Sequence, residues 1–250
     1  MSIQAEVEDG VAVVSIDRPE RKNAFTAEML ATLIESVGRL GADPEVRALV
    51  LTGAGGDFSS GADVEELKEG YHDGPGKTGL AAFDPQLWLL DCPMPVVAAV
   101  DGVAIGMGVE LTVQADIRIA TPRARFAWVF SRLGLVPDTG ASHWLLPRIV
   151  GLPKALELLY SGEFLSGEEA LECGYASYVV EPEELRPAAI ELARRLAAGK
   201  PGATAAIKAL TYGGLARDRA ENQAATEAAL AERFASDEFR DAVAAFLARD

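Results

Sequence analysis

Leu51-Thr-Gly-Ala-Gly-Gly-Asp-Phe-Ser-Ser-Gly-Ala-Asp-Val64 and Val97-Ala-Ala-Val-Asp-Gly-Val-Ala-Ile-Gly-Met-Gly-Val-Glu110 carry one plan twice. Each runs from an apolar strand through small residues into a helix start. The first turn of a helix has backbone N–H groups without intrahelical partners, and small residues let a ligand come close to them. Either stretch alone also reads as a plain β-to-α connection. Together, about 45 residues apart, they could aim two N–H groups at one oxygen.

The surrounding chain predicts an α/β fold. Residues 3–17 alternate apolar and polar around Asp9-Gly10, which reads as a hairpin. From Thr26, Met29, Leu30, Leu33, Ile34, Val37 and Leu40 recur at helical spacing, and Gly41 stops the run. Strands are expected at 46–52, 95–100, 116–120 and 125–129, with a helix over 105–114. Residues 70–82, with five glycines and prolines, read as a flexible loop. Beyond about residue 140 the pattern is mainly helical. Ser166 and Glu169 form a capping box, and helices are expected over 183–198, 202–213, 218–234 and 237–248.

The composition excludes several classes. Of 250 residues, 49% are hydrophobic, enough for a substantial core. The net charge of −15 repels phosphate backbones, so no nucleic acid partner is expected. No apolar run approaches the ~20 residues that span a bilayer, so no membrane association is expected. The N-terminus shows no signal peptide pattern. Cys92 and Cys173 do not form a disulfide framework, which suits a reducing compartment, and a cytoplasmic location is expected. His72 and His143 lack ligand-like spacing, so no metal site is expected. Gly74-Pro-Gly-Lys-Thr78 resembles part of a phosphate loop, but Tyr71 stands where the motif needs glycine. Gly53-Ala-Gly55 lacks the third glycine of a dinucleotide fingerprint.

One ordered set of motifs resembles the enoyl-CoA hydratase/isomerase (crotonase) family. It comprises Asp17-Arg-Pro-Glu-Arg-Lys-Asn-Ala24, Phe58-Ser-Ser-Gly-Ala-Asp63, Asp101-Gly102 and Gly106-Met-Gly-Val-Glu110. Asp116-Ile-Arg-Ile-Ala120, Ala124-Arg-Phe126, Gly134-Leu-Val-Pro137 and the ending Phe-Arg-Asp-Ala-Val-Ala-Ala-Phe246 continue it. The resemblance implies a crotonase-like ββα spiral core over residues 1–190. It also implies a C-terminal α-helical oligomerisation region over 191–250, assembling a homotrimer or a hexamer of two trimers. It implies an acyl-CoA thioester substrate and no cofactor beyond that coenzyme A. The oxyanion-hole N–H groups fall on Ala62 and Met107, the latter where relatives more often carry glycine. Arg21, Lys22, Ala24, Ser60, Asp63 and Val64 match the segments that hold coenzyme A. Arg21 and Lys22 are candidate phosphate partners, or else solvated surface charges.

The carboxylates separate the chemistries. Hydratases of the family use two glutamates. Glu110 matches the first, but Phe130 occupies the second position and lines the substrate site without a proton to give. Phe130-Ser-Arg-Leu-Gly-Leu-Val-Pro-Asp138 and Trp144-Leu-Leu-Pro-Arg148 resemble the family's epoxyphenylacetyl-CoA isomerase and enoyl-CoA isomerase branch, whose catalytic aspartate falls on Asp138. Asp138 and Arg148 stand one residue further apart than in that branch, so alignment from the right would place Thr139 there. Asp138 could instead cap the next helix. Glu110 could be a buried structural acid, or an acid whose raised pKa suits proton transfer. The expected activity is a double-bond shift in an enoyl-CoA. Hydration of a 2-enoyl-CoA is the alternative, and noncatalytic coenzyme A binding a third. The acyl group is open.

Overall fold

The computed structural model describes residues 2–71 and 87–248. The expected 70–82 loop, His72 and the Gly74–Thr78 stretch therefore fall almost wholly outside the described residues. In chain order the elements are β1 (Ser2–Glu8), β2 (Val11–Asp17), α1 (Ala27–Ala42), β3 (Ala48–Gly53), α2 (Val64–Tyr71), α3 (Trp88–Asp91), β4 (Val96–Val100), β5 (Val103–Ile105) and α4 (Met107–Gln114). β6 (Ile117–Ala120), β7 (Arg125–Ala127), α5 (Ala141–Val150), α6 (Leu152–Ser161), β8 (Leu165–Ser166), α7 (Gly167–Glu172) and β9 (Tyr178–Val179) follow. Four helices close the chain: α8 (Pro182–Ala197), α9 (Pro201–Gly214), α10 (Arg219–Ala235) and α11 (Asp237–Leu247).

A six-stranded sheet has the order β1-β2-β3-β4-β6-β9, and a smaller sheet the order β5-β7-β8. β1 and β2 form the expected antiparallel hairpin, turning at Asp9-Gly10 with both residues at positive φ. The remaining pairs of the large sheet are parallel. The chain visits the two sheets in turn: β4 then β5 then α4, and β6 then β7. Ser59, ahead of α2, makes a parallel bridge to Ala104 of β5. This strand–strand–helix progression is the spiral expected from the resemblance.

Side-chain alternation divides the core into two layers. Ala12, Val14, Ile16, Leu49, Leu51, Val96, Ala98 and Val100 face α1, α4 and the small sheet. Val11, Val13, Ala48, Val50, Val97, Ala99 and Ile119 face Leu185, Ala189, Leu192, Ala193 and Ala197 of α8. Helix α8 thus runs across residue 190 and packs on the sheet to its end. A division at 190/191 falls inside one helix, whose apolar stripe is continuous.

Three expectations shift. The helix expected from Ile105 starts at Met107, because Val103–Ile105 pairs with β7. The strand expected to reach residue 129 stops at Ala127, and Val129–Leu133 forms a 3-10 turn. Gly41, expected to stop α1, lies inside it, since the helix runs to Ala42; Thr26 caps its start, its side chain accepting from the Met29 N–H at 3.1 Å. The Ser166/Glu169 capping box is present on α7. No described helix is long and apolar enough to cross a membrane.

Candidate functional site

The two small-residue segments lie side by side. The Ile105 N–H donates to the Ser59 carbonyl and the Ser59 N–H to the Val103 carbonyl, locking residues 58–62 against β5. Gly61 and Gly108 make this contact feasible. A Cβ on Gly61 (φ +97°) would come within 2.8 Å of the Ile105 carbonyl oxygen and 3.4 Å of the Met107 nitrogen. On Gly108 it would come within 2.4 Å of the Ser59 carbonyl oxygen. Ala62 bridges Phe25 through bonds made by its neighbours: the Phe25 N–H donates to Gly61 and the Asp63 N–H to Phe25. Among the described residues, no hydrogen bond uses the N–H of Ala62 or of Met107. Met107 is the first residue of α4, where an N–H has no intrahelical acceptor. Its side chain is buried in the core.

One turn further along α4, Glu110 is fully buried. Ser142 Oγ donates to its Oε1 and Thr139 Oγ1 to its Oε2, and the Ser142 N–H approaches Oε2 at 3.4 Å. Trp128 Nε1 donates to Ser142 Oγ at 2.6 Å, so the serine proton is left to face Glu110. Burial raises the Glu110 pKa above the usual glutamate range, against the pull of these donors.

Asp138 lies next to Thr139, in the turn between Val129–Leu133 and α5. Its Oδ1 is buried without a hydrogen-bond partner. Burial first, then the charge on Glu110, push its carboxyl up to about 7, against backbone N–H groups of Asp138 and Thr139. It does not cap α5: Gly140 occupies the N-cap, and Thr139 Oγ1 accepts the Ala141 N–H at 3.2 Å. Thr139 is therefore spent on Glu110 and on the helix start.

The coenzyme A candidates divide. Arg21 and Lys22 are exposed, and Arg21 pairs with Glu65 of α2 at 3.2 Å. Exposed pairs contribute about 0–1 kcal/mol, so Glu65 hardly withholds Arg21 from a phosphate. Val64 is exposed. Ser60 is tied to this corner, its N–H donating to the Lys22 carbonyl and its hydroxyl to that of Arg21. Asp63 and Ala24 are internal. The Asp63 carboxylate pairs with buried Arg18 at 2.6 Å and accepts the Glu65 N–H. Burial pushes its pKa up, but these two partners outweigh it and hold the carboxyl below the usual range. The Ala24 carbonyl accepts from Arg18 Nη1. Phe130 is buried in the main core. Asn23, not singled out from the sequence beyond its motif, ties this corner together. It has φ +57° and donates from Nδ2 to the carbonyls of Ala54 and Asp57.

A ββα spiral with two helix-start segments joined at one edge of a second sheet defines a crotonase-fold protein. The family model for enoyl-CoA hydratase/isomerase matches residues 6–250, and this chain belongs to that family of enzymes. It is 40% identical over 199 residues to the 1,2-epoxyphenylacetyl-CoA isomerase of Escherichia coli K12, covering 78% of this chain and 76% of that one. It is 35% identical over 243 residues to the short-chain-enoyl-CoA hydratase of Clostridium acetobutylicum, covering 97% and 93%. The crystal structure of an enoyl-CoA hydratase/isomerase from Cupriavidus metallidurans superposes with a TM-score of 0.88 at 37% identity, covering 100% and 94%.

Proposed function

We propose that this enzyme is an enoyl-CoA isomerase with Asp138 as its single proton carrier. The observation that carries the reading is the contrast between two neighbouring acids. Asp138 has a buried oxygen without a partner and titrates near 7, while both oxygens of Glu110 are occupied by hydroxyl donors. A base poised near neutrality can take a proton and return it.

In a 3-enoyl thioester, Asp138 removes a proton from the carbon beside the carbonyl. The C–H electrons move into the carbonyl, and negative charge develops on its oxygen. The N–H groups of Ala62 and Met107 would stabilise that charge, an effect of ~3–4 kcal/mol per donor in comparable holes. Asp138 then returns the proton two carbons along, leaving the double bond conjugated. Arg21 and Lys22 would meet the coenzyme A phosphates. The free thiols of Cys92 and Cys173 suit a cytoplasmic enzyme.

Hydration of a 2-enoyl-CoA is the second reading. It is favoured by Glu110, an acid of raised pKa beside Asp138. A panel of 2-enoyl-, 3-enoyl- and aryl-CoA thioesters, followed by mass spectrometry, separates the readings. Isomerisation keeps the mass and hydration adds one water. Water addition without a double-bond shift would overturn the isomerase reading.

A further inference from the structure

We propose that Ser142 and Thr139 are positioning residues that hold Glu110 out of proton transfer and so confine the chemistry to Asp138. The inference rests on the isomerase reading above and deepens it.

An ionised carboxylate has about four acceptor sites and no donor. On Glu110, Oε1 receives the Ser142 hydroxyl, and Oε2 receives the Thr139 hydroxyl and the Ser142 N–H. Each hydroxyl is aimed by a group that can only donate. Trp128 Nε1–H fills an acceptor site on Ser142, and the Ala141 N–H fills one on Thr139. Neither hydroxyl can turn its proton away without abandoning a buried partner. Trp128 is itself fixed, fully buried with its ring against Tyr175 at a centroid distance of 5.4 Å.

A base that activates water must present a lone pair to it and then accept the proton. Three donors leave Glu110 at most one open acceptor site, on Oε1, and a carboxylate that already receives three hydrogen bonds is the weaker base. Asp138 Oδ1 has no such partner. The fork between double-bond shift and water addition would therefore lie in two hydroxyl side chains that need not touch substrate.

The test compares the wild type with Ser142→Ala, Thr139→Val and the double variant, and with the conservative Ser142→Thr and Thr139→Ser. Isomerisation of a 3-enoyl-CoA and hydration of a 2-enoyl-CoA are both measured. The expected result is a hydration-to-isomerisation ratio at least about tenfold higher in the double variant, the equivalent of 1.4 kcal/mol. The conservative variants should return the ratio to the wild-type value. Adding Glu110→Gln to the double variant should remove the gained hydration. A merely structural role would lower both rates together and leave the ratio unmoved. An unchanged ratio overturns the inference, and if the double variant does not fold, the single variants decide by the same ratio. The isomerase reading fails separately, if Asp138→Asn isomerises at the wild-type rate.

Discussion

Above about pH 7 Asp138 is charged in a buried place, at a cost in stability. Asp138→Asn should keep the shape and coenzyme A binding but lower the isomerisation rate by about 10²–10⁴-fold, the usual worth of a general acid–base group. In the wild type, that rate should climb with pH and level off above about 7, since only the ionised carboxylate can take a proton. The linkage to folding has the opposite sign from that of a paired acid. The folded-state pKa is raised, so below about pH 4 the group is neutral in both states and costs nothing. The destabilisation grows as pH rises from there and is complete above about 7. Urea unfolding should therefore find Asp138→Asn more stable than the wild type at pH 8, by on the order of 1–3 kcal/mol once partial exposure is allowed for. At pH 3.5 the two should match. Ala62→Pro is the companion test. Proline removes an N–H that no described partner uses, so turnover should collapse while circular dichroism and solubility stay near wild type. Normal turnover in a soluble Ala62→Pro protein would take Ala62 out of the site.

Helix α9 is held by one buried cation. Lys208 Nζ donates to the carbonyls of Leu89 and Met94 and pairs with Asp116 at 2.9 Å, while Tyr212 donates to the other Asp116 oxygen. Lys208→Met should destabilise the fold by about 2–4 kcal/mol, since it leaves Asp116 without its counter-charge and two carbonyls without their ammonium donor. A lowered urea midpoint checks this. Such long-range ties mark the limit of what local patterns reveal. The repeating apolar faces of α1 and of α8 to α11 were legible because each helix spans several turns. β5, β8 and β9 have only two or three residues, too few to show a period, and their pairing depends on distant partners. The same limit applies at the candidate site. Ala62, Met107, Glu110 and Asp138 are candidates through motifs. Thr139 and Ser142 could not be paired with Glu110, because hydroxyl residues carry no pattern and their partner is 29 and 32 positions away. Asp63 read as a ligand-loop residue, yet its carboxylate serves Arg18, 45 positions away.

At the scale of the whole molecule, the two last helices, α10 and α11, leave a group of large apolar side chains in solvent. Leu230, Phe234, Phe239, Phe246 and Leu247 are all exposed, with Phe246 at 71%. A monomer rarely leaves so many large apolar groups on adjacent elements uncovered. Light scattering at micromolar concentration should give the mass of three or six chains, and a monomer would reject this reading.

The rims of the large sheet behave differently from its helical surface. β9 offers only two residues at one rim, and β1 at the other carries Glu6 and Glu8, which reach Arg186 and Arg194 of α8. Short or charged margins discourage the addition of foreign strands. Beside β1, and paired to it along its edge, lies β2, whose Val11-Ala-Val-Val14 is entirely buried. β1 is thus a cover as well as a strand. Removing residues 2–8 would bare a β-branched, uncharged ribbon of the kind that seeds amyloid-like stacking. That truncated chain should bind thioflavin and sediment, while the intact one stays dispersed.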